Sequence, residues 1–274
     1  NITGVFYMPD TESKIMINSK GLRDIEHDYE KPEGVKRIEF FGDSFTWGYG
    51  LNSEERFVDL LSEKFNRDFP KEYELINLGT TGYGTDQEYL FLKTEGLKYN
   101  PDFVIFAYHN DLSDVIKNDT CLNSKYPHPY VTLEGDNLTF NNIPVPICSQ
   151  DWSKSETVKK QSKVRFILTV DRMLSRSKVY ILIRDNLGIS IGVVNKKIYE
   201  IRYPNYNNTL KVINSLMLDS KKIANENNAT FIILIIPDKS QVYGNANTIE
   251  IDNLLELAKK NDIPVINLFP DLKE

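Results

Sequence analysis

The chain has 274 residues, 41% hydrophobic and 26% charged, with a formal net charge of -6. That length can bury a full core, and one domain with insertions is the expectation. The acidic balance, with no long basic run, excludes a nucleic-acid footprint, and no stretch approaches the roughly 18 apolar residues that a membrane span needs.

The first residues, NITGVFYMPD, lack the charged-then-apolar pattern of a signal sequence, and the chain is expected to begin after a removed segment. Residues 1–35 are read as a lead-in. The first continuous apolar run is RIEFF from Arg37, which breaks into Gly42-Asp43-Ser44 and then sets Gly48 and Gly50 among the aromatics Trp47 and Tyr49. Further runs of strand length follow: YELINLG from Tyr73, DFVIFAY from Asp102, TFIILIIP from Thr230 and IPVINLF from Ile263. Runs this continuous suit strands covered on both faces, as in parallel sheets. Between them, Leu210, Ile213, Leu216 and Met217, and then Ile251, Leu254, Leu255 and Ala258, recur at helical spacing. The alternation predicts an α/β fold, a doubly wound, flavodoxin-like sheet of about five parallel strands.

The alternation breaks over about 112–206, read as an inserted loop and helical cap, with helical segments around VRFILTVDRMLSRSKVYILIRD. The only two cysteines, Cys121 and Cys148, bracket its first part. Paired, they would close a loop worth about 3 kcal/mol in chain-entropy models and imply an oxidising compartment; unpaired, they read as buried thiols. Asn-x-Ser/Thr triplets at Asn1, Asn118, Asn137, Asn207 and Asn228 fit an extracytoplasmic chain, whether secreted or at the cell surface. In a chain this rich in asparagine, chance also produces such triplets.

In a doubly wound sheet, ligands bind beyond the carboxyl ends of the strands. The first run ends in Gly42-Asp43-Ser44, the second in NLGTTGYGT, and the third in His109-Asn110-Asp111. A serine, a turn glycine and an asparagine on one edge supply the attacking oxygen and oxyanion donors of acyl transfer. Asp43 is expected to cap local N–H groups. Trp47 and Tyr49 are candidates for lining a substrate pocket, although aromatic core packing explains them equally well. No His, Cys, Asp or Glu cluster has metal-ligand spacing, and no cofactor is expected.

These blocks resemble the SGNH (GDSL) hydrolase superfamily. The resemblance rests on GDSF at Gly42, NLGTTGYG and YHND, and it extends to INSKGLRD upstream and IIPDKSQVY downstream. It implies a serine esterase or acyltransferase acting on an O-acyl ester, with Ser44 as nucleophile and Gly82 and Asn110 holding the oxyanion. Tyr108 stands where the family's block has glycine, which implies a bulkier pocket wall, with His109 beside it. The family's D-x-x-H block, which carries the general base, has no counterpart. Asp271 in DLKE is followed by Glu274 where the histidine would stand, so the sequence is expected to stop short of that block. His27 and His128 read as loop histidines, and His109 as a wall or hydrogen-bonded structural residue. Relatives act on acylated carbohydrates, lipids and small esters, and a surface glycan ester is the favoured substrate. The other reading is a catalytically silent SGNH domain serving as a binding or structural subunit at a cell surface.

Overall fold

The computed structural model describes residues 2–8, 11–109, 115, 127–135, 137–148, 206–243 and 248–273. Most of the expected insertion over 112–206 lies outside the described residues, as do Cys121, Asn110 and the helices expected around VRFILTVDRMLSRSKVYILIRD.

The centre is a five-stranded sheet in the order β4-β3-β5-β8-β9, with β3 Lys36–Gly42, β4 Tyr73–Asn77, β5 Phe103–Tyr108, β8 Thr230–Ile235 and β9 Val265–Asn267. All four pairings are parallel. The chain starts inside the sheet, moves outward to β4, then crosses back to β5 and onward. This is the flavodoxin-like order, and it puts a switch point between β3 and β5.

Alternation along each strand sorts side chains to two faces. Ile38, Phe40, Leu75, Ile105, Ala107 and Leu234 pack with Val58 of helix α2 (Phe57–Asp68). On the other face Phe41, Ile76, Val104, Phe106, Phe231 and Ile233 share a larger cluster with residues of α3 (Thr85–Thr94), α4 (Tyr206–Glu226) and α6 (Ile249–Lys260), the short α5 (Lys239–Tyr243) lying between the last two in sequence. Both helical periodicities read from the sequence are buried there, through Ile213, Leu216 and Met217 of α4 and Ile251, Leu254 and Ala258 of α6.

Two antiparallel hairpins lie outside this sheet and were not legible as strands. β1 (Ile2–Met8) pairs with β2 (Thr11–Ile17). β6 (Tyr130–Glu134) pairs with β7 (Asn137–Asn141), and Phe140 of β7 stacks on Tyr89 of α3 at 5.6 Å between centroids. The Tyr89 hydroxyl in turn donates to Asp219 of α4.

The part of the lead-in around Asp24 and His27 forms a strap along the free edge of β4. At one end the Asp24 carboxylate accepts the N–H of Asn77 at 2.7 Å. At the other, Arg37 donates to the carbonyls of Asp28, Tyr29, Glu30 and Tyr99 and pairs with Glu74. Between them lies His27, only 4% exposed. It is in a loop, as expected, but buried: Nδ1–H donates to Glu74 at 2.6 Å and Nε2–H to Asp24 at 3.2 Å. Burial opposes its charge, but the two carboxylates outweigh burial and hold its pKa up at about 9.

Glu39, on strand β3, is fully buried beneath Gly96, where a Cβ would come within 2.9 Å of its Oε2. Neither carboxyl oxygen has a hydrogen-bond partner among the described residues. Burial pushes the group well above the usual carboxylate range, opposed by Arg37 and aided by Glu95. The folded protein therefore holds a proton that the unfolded chain releases above about pH 4.5, so this group's contribution falls as pH rises from there. Glu39→Met should raise stability at pH 7 by about 1–3 kcal/mol, and urea titrations at pH 5 and pH 7 should show the gain growing with pH. An equal or negative change at both pH values would show that the carboxyl is paired after all.

Candidate active site

Glycine and aspartate shape the turn that follows β3. Gly42 leaves no room for a side chain, since a Cβ there would run into Thr46. Asp43 is the N-cap of the one-turn helix α1 (Ser44–Trp47), its Oδ1 accepting from the Phe45 N–H at 2.8 Å, as expected from the sequence. Ser44 is the first residue of that helix and is partly exposed. Its carbonyl accepts the N–H groups of Gly48 and Tyr49, and Gly48 ends the helix with a left-handed φ of 80°. The Ser44 N–H, in the first helical position, makes no hydrogen bond among the described residues.

The second strand exit runs alongside the first. The Leu78 N–H donates to Phe40 and the Thr80 N–H to Gly42, each at 2.8 Å, which carries the parallel ladder past the end of β4. Gly79 packs directly on α1: a Cβ there would lie 2.6 Å from the Trp47 nitrogen. The chain then turns, with the Tyr83 N–H returning to the Thr80 carbonyl. Gly82 is the third residue of this turn, with φ of 81° and open space where a Cβ would point. Its glycine is thus demanded by backbone conformation rather than by crowding. The Gly82 N–H also makes no hydrogen bond among the described residues.

The third exit is β5, whose residue Ala107 pairs with Gly42. Tyr108 is 2% exposed and its hydroxyl donates to Glu250 of α6 at 2.6 Å. Strand alternation turns it toward the helical face, where this hydrogen bond ties it to the core. His109 is also largely buried. Its Nδ1–H donates to the Ile236 carbonyl at 3.0 Å, and its Nε2 lies 3.6 Å from Asp238. The Phe45 ring covers it at 3.7 Å between centroids. His109 therefore ties the exits of β3, β5 and β8 together, in keeping with a structural histidine. Asn110 follows it and lies outside the described residues.

Ser44, the Gly82 turn and His109 thus share one sheet edge, at the switch point. Trp47 and Tyr49 stand beside Ser44 with ring centroids 6.3 Å apart; Tyr49 is half-exposed, and the Arg23 guanidinium covers Trp47 at 4.3 Å. His128 donates from Nδ1 to the Pro129 carbonyl. None of the three histidines hydrogen-bonds to Ser44 among the described residues. No group of three or more metal-ligating side chains occurs among those residues, and none of their helices is long and apolar enough to cross a membrane.

The sequence reading missed Arg23, Asp24 and Asn77, whose hydrogen bonds reach the backbone of both loops. The signal was present in the INSKGLRD stretch, where a charged pair follows a tight glycine turn.

The fold and site together describe an α/β protein of flavodoxin-like order with a helix-capping serine turn at its switch point. No protein-family profile matches the chain, and no curated protein matches it. Among solved structures it is similar to an acetyl xylan esterase, with 14% identity over 86% of this chain and 79% of that one and a TM-score of 0.46. It is also similar to an SGNH-hydrolase family esterase, with 12% identity, coverage of 86% and 77%, and a TM-score of 0.41. A psychrotrophic esterase from Pseudoalteromonas sp. gives 14% identity, coverage of 85% and 76%, and a TM-score of 0.40.

Proposed function

We propose that the chain is a serine ester hydrolase or acyltransferase of the SGNH type. The observation that carries this reading is the grouping at the switch point: a partly exposed serine opening a helix, with its own N–H and that of Gly82 making no hydrogen bond among the described residues on the same edge. Ser44 Oγ attacks the carbonyl carbon of an O-acyl ester while a base takes its proton. The developing oxyanion is held by the Ser44 N–H, the Gly82 N–H and the Asn110 amide. Collapse expels the alcohol, and water or a second alcohol then takes the acyl group from Ser44.

No histidine is hydrogen-bonded to Ser44 among the described residues. That observation favours a second reading, a catalytically silent SGNH domain with a binding or structural role at a cell surface. Turnover of an aryl acetate by the full gene product, compared with its Ser44→Ala variant, separates the two. Serine-dependent hydrolysis supports the enzyme, and equal background rates support the silent domain.

The favoured substrate is an O-acyl group on a surface glycan, with Trp47 and Tyr49 as aromatic surfaces beside Ser44. This goes with an extracytoplasmic setting. Three of the glycosylation triplets, at Asn137, Asn207 and Asn228, present exposed asparagines. No free cysteine occurs among the described residues, which include Cys148. A Cys121–Cys148 disulfide is therefore part of the proposal. Thiol titration of the unfolded, non-reduced protein should find no reactive cysteine; two would rule the bond out.

A further inference from the structure

We propose that Arg23 and Asn77 are positioning residues that set the spacing between Ser44 and the Gly82 turn; the inference rests on the ester-hydrolase reading above. A one-turn helix has too few internal hydrogen bonds to hold its own geometry. Helix α1 is held from outside instead. Arg23, 2% exposed, donates from Nη1 to the carbonyls of Trp47 at 3.1 Å and Gly48 at 2.7 Å. Its Nη2 donates to Leu51 at 2.5 Å and Lys14 at 3.4 Å, while the guanidinium plane lies over the Trp47 ring. One side chain thus gathers three carbonyls of the loop after the nucleophile.

Asn77 makes the complementary link. Its Nδ2 donates to the Thr46 carbonyl of α1 at 2.8 Å, and its Oδ1 accepts the Gly79 N–H at 3.0 Å. Its backbone N–H is fixed by Asp24, the neighbour of Arg23. The Arg23-Asp24 pair and Asn77 therefore brace the serine helix and the start of the glycine loop against one another. The arrangement is costly. Among the described residues Arg23 has no carboxylate in hydrogen-bond contact, its carbonyl accepts from buried Arg56, and burial together with that second guanidinium lowers its pKa to about 10.

The fork of five donors is what one guanidinium has and an ammonium lacks, so Arg23→Lys keeps the charge but loses the pattern. Misplacing reacting groups by about 1 Å can cost on the order of a hundredfold in rate. In the full gene product, Arg23→Lys and Asn77→Ala should each lower kcat for an aryl acetate by about 10- to 100-fold while KM stays within about threefold. The control is Arg37→Lys, a similarly buried arginine that collects carbonyls at the opposite end of β3. It should lower Tm and leave kcat within about twofold. All assays are run below each variant's melting transition, and if Arg23→Lys does not fold, Asn77→Ala decides. Unchanged kcat in the folded variants, or an equal loss in Arg37→Lys, would overturn the positioning role alone. Wild-type protein with no Ser44-dependent turnover would overturn the hydrolase reading and this inference with it.

Discussion

Replacing Ser44 by alanine is expected to lower the aryl acetate turnover of the full gene product by at least about a thousandfold, to the background rate. The reasoning is chemical. Oxyanion donors stabilise charge only after a nucleophile has attacked, so donors alone retain a small part of the acceleration. Because Ser44 is partly exposed and its side chain has no hydrogen-bond partner among the described residues, the substitution should leave the fold intact. Its urea midpoint should match that of the wild type. A loss of activity accompanied by unfolding would not count in favour of a nucleophile, and retained activity would move the chemistry elsewhere.

The second large effect concerns stability. His27 has a folded pKa of about 9 against an ordinary value of 6.5. Its contribution is fully present below pH 6.5 and is lost as pH rises through about 9, a change of roughly 3 kcal/mol. Replacing it with glutamine removes the cation between Asp24 and Glu74, leaving Glu74 paired with Arg37 and Asp24 held by the backbone N–H groups of Ile25 and Asn77. The expected cost at pH 6 is about 3–5 kcal/mol, as for other broken buried ion pairs. Glu74 is partly buried, yet hydrogen bonds and charge from His27 and Arg37 keep its carboxyl below the usual range, so it would become harder to ionise in the variant. Urea titrations at pH 6 and pH 9.5 test this. The gap between wild type and His27→Gln should narrow strongly at the higher pH, and a constant gap would mean that His27 is neutral in the fold.

The sheet was legible because each of its strands is a continuous apolar run, and burial on both faces leaves that signature in the sequence. RIEFF, YELINLG, DFVIFAY, TFIILIIP and IPVINLF all became strands of one parallel sheet. The hairpins were not legible. β6 and β7 read as YVTLE and NLTFN, short and mixed in polarity, inside a segment whose prolines suggest loop. Periodicity also missed the strap along β4. Its key residues are Arg23, Asp24, His27 and Arg37, charged types normally assigned to the surface, and nothing local in the sequence shows that carbonyls and carboxylates of distant segments will surround them.

At the sheet edge, the helix start at Ser44 and the positive-φ turn at Gly82 were readable, because a strand exit into a helix and such a turn both restrict residue type. The burial of Tyr108 against the helical face was not legible. The reason is parity: one residue along an extended strand exchanges the pocket edge for the core, and Glu250, which receives its hydroxyl, lies 142 residues away in sequence. The bracing by Asn77 has the same local sequence as an ordinary strand ending, since both need only an asparagine shortly before a glycine.

The most direct test of the account is covalent capture. The full gene product is incubated with an aryl phosphonate ester, whose attack by a serine leaves a stable phosphonyl group in place of the acyl intermediate, and the modified peptide is mapped by mass spectrometry. The account predicts one adduct, on Ser44, absent from Ser44→Ala and formed more slowly in Arg23→Lys. An adduct on another residue, or aryl acetate turnover by a wild-type protein whose Ser44 stays unmodified, would contradict it.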